Sequence, residues 1–288
     1  MESIWTSTST APDIWHFLIA VYFVFFFFAA RYFLHNFVFR KLAVWFSVGV
    51  SSSGKIDEAK QSKIAKCSES MWKLTYYATV EAFVLTMAYH EQWFRDSDQY
   101  LRGWPTQELK TSVKLYYMCQ CGFYVYGIGA LLTWETRRKD FSIMMSHHIV
   151  TIILISYSYI TSFFRIGAVV LALHDGSDVF LEAAKVFKYS GKELQASVLF
   201  GCFAISWVIL RLILFPFYVI KTTSYDFIKI LMVSDDSNRT YYYVYNTMLQ
   251  TLLIFHIYWW ILIFSMIRRQ LKNKGQVGED IRSDSDED

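Results

Sequence analysis

Residues 142–160 read SIMMSHHIVTIILISYSYI and, after a short link, residues 165–189 read RIGAVVLALHDGSDVFLEAAKVFKY. Both blocks are long and apolar enough to cross a hydrocarbon core, which takes about 20 helical residues for roughly 30 Å. Both also carry groups that do not belong in lipid. The first holds the adjacent imidazoles of His147 and His148; the second holds His174, Asp175, Asp178 and Glu182. A charged side chain in a span costs roughly 2.5–3.5 kcal/mol on insertion scales, so such groups face a cavity and work there.

Outward from this pair the pattern repeats. The chain of 288 residues is 54% hydrophobic and 19% aromatic, with three prolines, and its apolar residues gather in blocks rather than at amphipathic spacing. About seven blocks qualify as spans, near 13–35, 71–91, 111–134, 141–160, 164–186, 194–219 and 243–267. The sequence therefore predicts an all-α polytopic membrane protein. The links after the third and fourth spans are so short that spans three to five must be antiparallel neighbours. Between the first two spans lies SSSGKIDEAKQSKIAKCSESMWK, a charged stretch expected to be helical at the membrane surface. The chain divides into an N-terminal part (1–70), a six-span domain (71–267) and an acidic tail (268–288) expected to be disordered.

A formal charge of +3 is too small to suggest nucleic acid, and no zinc-finger or RNA-binding signature appears. The four cysteines form no CxxC pair; CQC at 119–121 lies in a span and reads as small core residues. The first residues lack the basic flank of a signal peptide, so the first apolar run is expected to remain as a span. Basic residues cluster after spans one, three, five and seven: Arg40, Lys41, Lys55, Lys60, Lys63 and Lys66; Arg137, Arg138 and Lys139; Lys185, Lys188 and Lys192; Arg268, Arg269, Lys272 and Lys274. The positive-inside rule then places the C-terminus in the cytosol and the N-terminus in a lumen or outside.

The polar groups share a level. His174, Asp178 and Glu182 fall on one helical stripe, with Lys185 a turn further. If span four enters from the cytosol near Phe141, His147 lies about 9 Å deep at 1.5 Å per residue. If span five leaves near Val186, Asp178 lies about 12 Å from that end by the same rise. Antiparallel neighbours thus bring the imidazole pair and the aspartates together in the cytosolic half. His16, His35 and His90 read instead as helix–helix hydrogen-bonding or interfacial residues. One zinc on His147, His148 and Asp178 is the metal alternative, but adjacent residues diverge by about 100° on a helix and chelate poorly. A di-iron hydroxylase needs several histidine boxes, and the chain has seven histidines in all.

The segment HHIVTIILISYSYITSFFRIGAVVLALHDGSDVFLEAAK resembles the signature of ceramide synthases, the longevity-assurance branch of the TLC-domain family. Ser156–Tyr157, Arg165–Gly167, His174–Asp178 and Leu181–Lys185 stand in the family's order. The likeness extends to WETRRKDF (134–141), LRLILFPF (210–217), FHIYWW (255–260) and the tail GEDIRSDSDED. With no homeobox-like insert, and with GWPTQELK, KLYYMCQCGFYVYG and MMSHH, it is similar to the plant enzymes, most of all to those preferring palmitoyl-length acyl chains. The resemblance implies one peripheral N-terminal helix beside a six-helix barrel. It also implies N-acylation of a sphinganine-type base by a fatty acyl-CoA in the endoplasmic reticulum membrane, with no permanently bound cofactor and dimers with itself or paralogues.

On that reading His147 attacks the thioester and carries the acyl group, His148 handles protons, and Asp175 and Asp178 fix a tautomer, act as base or anchor the amine. Direct transfer without a covalent step is the simpler scheme. His174, Glu182, Asn246 and His256 are candidates for lining the substrate cavity. Arg137, Arg138, Lys139 and Lys185 contact the coenzyme phosphates or serve topology alone. Trp259 and Trp260 either flank the cavity or belong to the interfacial aromatic belt. The family's loop before the last span, here about 220–242, influences acyl length and holds a glycosylation sequon at Asn238. Ser283 and Ser285 resemble acidic-directed phosphorylation sites. The rival functions are a non-catalytic TLC lipid-binding protein, a transporter and a metal-dependent lipid hydroxylase.

Overall fold

The computed structural model describes residues 11–48, 58–135, 137–228 and 238–272. No strand occurs among them. We number the helices α1 (Phe17–Leu34), α2 (Arg40–Val48), α3 (Glu58–His90), α4 (Thr111–Thr133), α5 (Phe141–Ile160), α6 (Phe164–Tyr189), α7 (Glu193–Trp207) and α8 (Asn238–Lys272). A π-helical turn, His35–Phe39, joins α1 to α2. The π-helical stretches Val208–Ile220 and Thr222–Asp226 prolong α7.

Each of the seven expected spans corresponds to one long helical stretch. Five of them, Ile14–Phe46, Thr111–Thr133, Phe141–Ile160, Glu193–Asp226 and Arg239–Lys272, are long and apolar enough to cross a membrane. The other two, α3 and α6, fall short because they carry the charges: Glu69, Lys73 and Glu81 on α3; Arg165, Asp175, Asp178, Glu182 and Lys185 on α6. Residues 58–70, expected as a surface helix, are helical but run without a break into the second span as the first turns of α3.

The turns explain the antiparallel order. After α5 the chain reverses in three residues: Ser162 takes a positive φ of 62°, and the Phe163 amide donates to the Ser158 carbonyl at 2.8 Å. After α6 the Lys192 amide donates to the Phe187 carbonyl at 3.0 Å, and α7 starts at once. Six helices close a ring in the spatial order α3, α6, α7, α8, α5, α4. Contacts between successive members define most of it, and Tyr76 of α3 closes it by stacking on Phe123 of α4. α1 lies outside, against α4. It can come that close because a β-carbon on Gly122 would sit 2.6 Å from the Phe23 Cβ and 2.8 Å from the Ala20 carbonyl oxygen. Only Ala20 and Phe27 of α1 are buried, so this helix is peripheral.

Among the described residues, the basic clusters fall at one end of the barrel, because α3 starts there, α4 and α6 end there, and α8 finishes there. The other end is covered by the link between α3 and α4. Trp104 donates its indole N–H to the Thr161 carbonyl at 2.9 Å and stacks on Phe163, while Arg165 donates to the carbonyls of Gln99 and Arg102 at 3.1 and 3.2 Å.

Candidate active site

The ring encloses a cavity of about 1860 Å³, counting its open mouth. Arg138, Lys185 and Lys188 line it at the basic end, and His174 and Arg211 lie further in. Between them the walls are largely apolar and aromatic, with Leu181 of α6, Phe200, Phe203 and Trp207 of α7, and Ile263 and Met266 of α8.

His147 and His148 both line this cavity, from the second turn of α5. Their rings lie 5.8 Å apart and nearly perpendicular, at 81°. Adjacent residues avoid full divergence because the wide cavity accommodates both directions. His147 is buried; its ring lies parallel to His174 at 6.2 Å and meets the edge of Trp259 at 5.1 Å. Its Nδ1 has no hydrogen-bond partner among the described residues. His148 Nδ1 is 2.9 Å from the Met144 carbonyl oxygen. A carbonyl only accepts, so the proton of the neutral ring sits on Nδ1 and Nε2 keeps its lone pair. Nε2 faces Gly127, where an added β-carbon would approach to 2.9 Å.

His174 is fixed in the same way. Its Nδ1–H donates to the Val170 carbonyl at 2.6 Å, and its Nε2 accepts from Nε2 of His256 at 2.7 Å. His256 therefore meets the site through His174. The carboxylates expected to receive an imidazole N–H are engaged elsewhere. Asp175 accepts a short hydrogen bond from the Gln120 amide, whose oxygen accepts from the Tyr76 hydroxyl. It faces the α3–α4 wall and does not line the cavity. Asp178 does line it, paired at 2.9 Å with Arg211. Arg211 also donates to the His174 carbonyl and lies over the Trp207 ring, 4.0 Å from its centroid.

Nearer the mouth, Glu182 is buried and paired with Lys185 at 2.7 Å. Lys73 bridges Glu69 of its own helix and Glu135 beyond α4, at 2.9 Å each, tying α3 to α4. Burial alone would push the Glu69 carboxyl up, but the Lys73 ammonium and the Arg138 guanidinium hold it at about 2. Of the basic candidates, Arg138 and Lys185 line the cavity. Arg137 and Lys139 are exposed, the former over the Phe141 ring at 4.5 Å.

Asn246 lies apart, in a knot of hydrogen bonds with Thr223, Ser224 and the Tyr242 carbonyl. It lies on α8 some 22 residues before Arg268, about 33 Å from the basic end at 1.5 Å per residue. Trp259 is inside the barrel rather than in an outer belt, its indole donating to Asp140 at 3.1 Å. His16 and His35 take the structural roles expected of them, with Tyr159 and Ser68. The side chain of Asn238, and all of Ser283 and Ser285, lie outside the described residues. Among those residues no three His, Cys, Asp or Glu side chains converge as metal ligands.

Sequence reasoning passed over Arg211, Gln120 and Lys73. For Arg211 the signal was present: a lone cation in the apolar run 198–220, subject to the same cost that singled out His147. Gln120 and Lys73 gave no such warning, because a neutral amide and a lysine near the end of an expected span are both cheap.

A family model described as the TLC domain matches residues 66–265. Ceramide synthase LOH2 of Arabidopsis thaliana is 60% identical over 277 residues, covering 96% of this chain and 94% of the relative. ASC1-like protein 3 of Oryza sativa subsp. japonica is 58% identical, over 91% of this chain and 92% of its own. Ceramide synthase 4 of Bos taurus is 36% identical over 77% of this chain and 55% of its own.

Proposed function

Because this chain belongs to the TLC-domain family, among its plant ceramide synthases, we propose that the barrel cavity is the site where it N-acylates a sphingoid base with a fatty acyl-CoA. The observation that carries the reading is the placement of His147 and His148 side by side on the wall of an apolar cavity whose mouth is basic. Coenzyme A is a polyanion and stays in water, whereas its acyl chain partitions into the apolar interior. Arg138, Lys185 and Lys188 suit the phosphates, and the aromatic walls suit the chain. The basic end is the cytosolic one on this reading, in the endoplasmic reticulum membrane, with the C-terminus cytosolic.

The chemistry takes two steps. A ring nitrogen of His147 attacks the thioester carbonyl carbon; the carbon–sulfur bond breaks, and the thiolate of CoA leaves with the proton of that ring. The base then enters, and its amine nitrogen attacks the acyl-imidazole. The lone pair on Nε2 of His148 takes one proton from the incoming ammonium and passes it to water at the mouth. As the amide forms, the bond from the acyl carbon to His147 breaks and the second amine proton returns to the His147 ring, restoring the neutral imidazole. The Met144 carbonyl fixes that lone pair, so His148 is a ready proton acceptor. Asp178, at the level of His174, anchors the incoming ammonium before it is deprotonated. Asp175 acts at one remove, through the α3–α4 wall. The purified protein, given palmitoyl-CoA and sphinganine, is expected to form the amide. Changing either histidine to Ala should lower the rate by about 10²-fold or more while leaving the thermal midpoint nearly unchanged. Full activity in a folded His147→Ala protein would overturn the reading.

A further inference from the structure

Beyond His174 the interior of the barrel continues. A second, narrow space, about 300 Å³ counting its openings but with free room for only about one water, is lined by Thr151, Leu154 and Ser158 of α5 and by Gly167, Val170 and Leu171 of α6. It shares Tyr124 and His174 with the larger cavity, and these two form the neck between them. The register aligns the two spaces along the same helix faces. On α5, His147, Thr151, Leu154 and Ser158 recur at four, three and four residues. On α6, Asp178, His174, Leu171 and Gly167 do the same in the opposite direction. Past the neck the α6 stripe turns apolar, and on α5 the hydroxyls of Thr151 and Ser158 flank Leu154 and are spent on carbonyls of their own helix.

Behind the Ser158 and Gly167 that line its far end stands Tyr117 of α4, which is fully buried. Its hydroxyl donates to the Phe164 carbonyl at 3.0 Å and lies 3.3 Å from the Ser158 hydroxyl. It reaches that position because residue 167 is glycine; a β-carbon there would collide with the hydroxyl. Three elements thus pin one aromatic ring across the path.

We propose that this chamber receives the tail of the acyl group and that Tyr117 is the stop that sets the longest tail accepted. The proposal rests on the acyl-transfer reading above. From His147 to Ser158 the path is about 16 Å at 1.5 Å per residue. With carbon–carbon bonds of ~1.5 Å, an extended chain advances roughly 1.3 Å per carbon, so on the order of 13 carbons beyond the reacting carbonyl span that length. That is close to a palmitoyl tail and well short of a very long one, which would have to pass through the Tyr117 ring.

The test is a competition assay on the purified full-length protein. Sphinganine is mixed with equal amounts of lauroyl-, palmitoyl-, arachidoyl- and lignoceroyl-CoA, and the amides are quantified by mass spectrometry. Tyr117→Ala should raise the arachidoyl-to-palmitoyl product ratio by about tenfold or more. Leu154→Phe, which fills the chamber, should lower the palmitoyl-to-lauroyl ratio by about as much. Tyr117→Phe keeps the ring and should keep the wild-type profile. A monodisperse, active Tyr117→Ala protein with an unchanged profile would overturn the proposal; if that variant does not fold, an unchanged profile in Leu154→Phe would do so. Absence of any amide from the wild-type protein would overturn the acyl-transfer reading itself, and the stop with it.

Discussion

Arg211 and Asp178 form the most exacting contact at the scale of single residues. The Arg211 side chain is almost fully buried, with little water to replace its partner, whereas Asp178 is about one-fifth exposed to the cavity. Removing one partner strands the other, a loss of about 3–5 kcal/mol, whereas removing both is far less costly. Arg211→Leu is accordingly expected to lower the thermal midpoint in detergent sharply, and the double change with Asp178→Leu to restore most of it. A double variant no more stable than the single one would contradict this account of the pair. Gly127 makes a finer case. A β-carbon there would press on Nε2 of His148, the atom proposed to accept the proton. Gly127→Ala should therefore slow amide formation by about tenfold, equivalent to about 1.4 kcal/mol of barrel-wall misplacement, with little change in stability. An unchanged rate would remove Nε2 from the reaction.

At the scale of elements, α3 carries a prediction of its own. Lys73 holds two carboxylates, and Lys73→Met would leave Glu69 and Glu135 facing each other without the ammonium between them. A loss of about 3 kcal/mol at neutral pH is expected. The sign of its pH dependence follows from the lowered Glu69 carboxyl. That stabilisation is complete above the unfolded value near 4.3 and disappears as pH falls toward about 2. Thermal midpoints of wild type and variant should thus converge between about pH 4 and pH 2, and a gap that stays constant would contradict the assignment.

The helices themselves were legible because apolar blocks of span length admit no other reading, and the short links after α4 and α5 dictated antiparallel neighbours. The histidine pair and the α6 stripe were legible because charge in an apolar run is costly. Three features were not. The stretch 58–70 joins α3 because a charged helix can emerge from a bilayer without a break. The π-helical geometry after Trp207 has only Pro216 as a local mark, since a ring without an N–H interrupts the regular ladder. Asn246 reads as a cavity residue by type alone, yet its amide is consumed by Thr223 and Tyr242.

At the scale of the molecule, the barrel separates two solvents. Its basic end suits a charged carrier, its interior suits a chain, and the Trp104 plug shuts the opposite end. The two histidines deeper in the barrel are occupied with one another: His174 has both nitrogens engaged, one of them by His256. We therefore expect amide formation from palmitoyl-CoA and sphinganine to be equal with and without a chelator; loss of activity restored by added zinc or iron would contradict the imidazole mechanism. The most direct measurement of the central claim omits the amine. The purified protein is incubated with palmitoyl-CoA alone, quenched, digested and sequenced by mass spectrometry. The account predicts a palmitoyl adduct on the peptide containing His147, absent from His147→Ala and discharged when sphinganine is added. An unmodified peptide from a preparation that makes amide at full rate would contradict it.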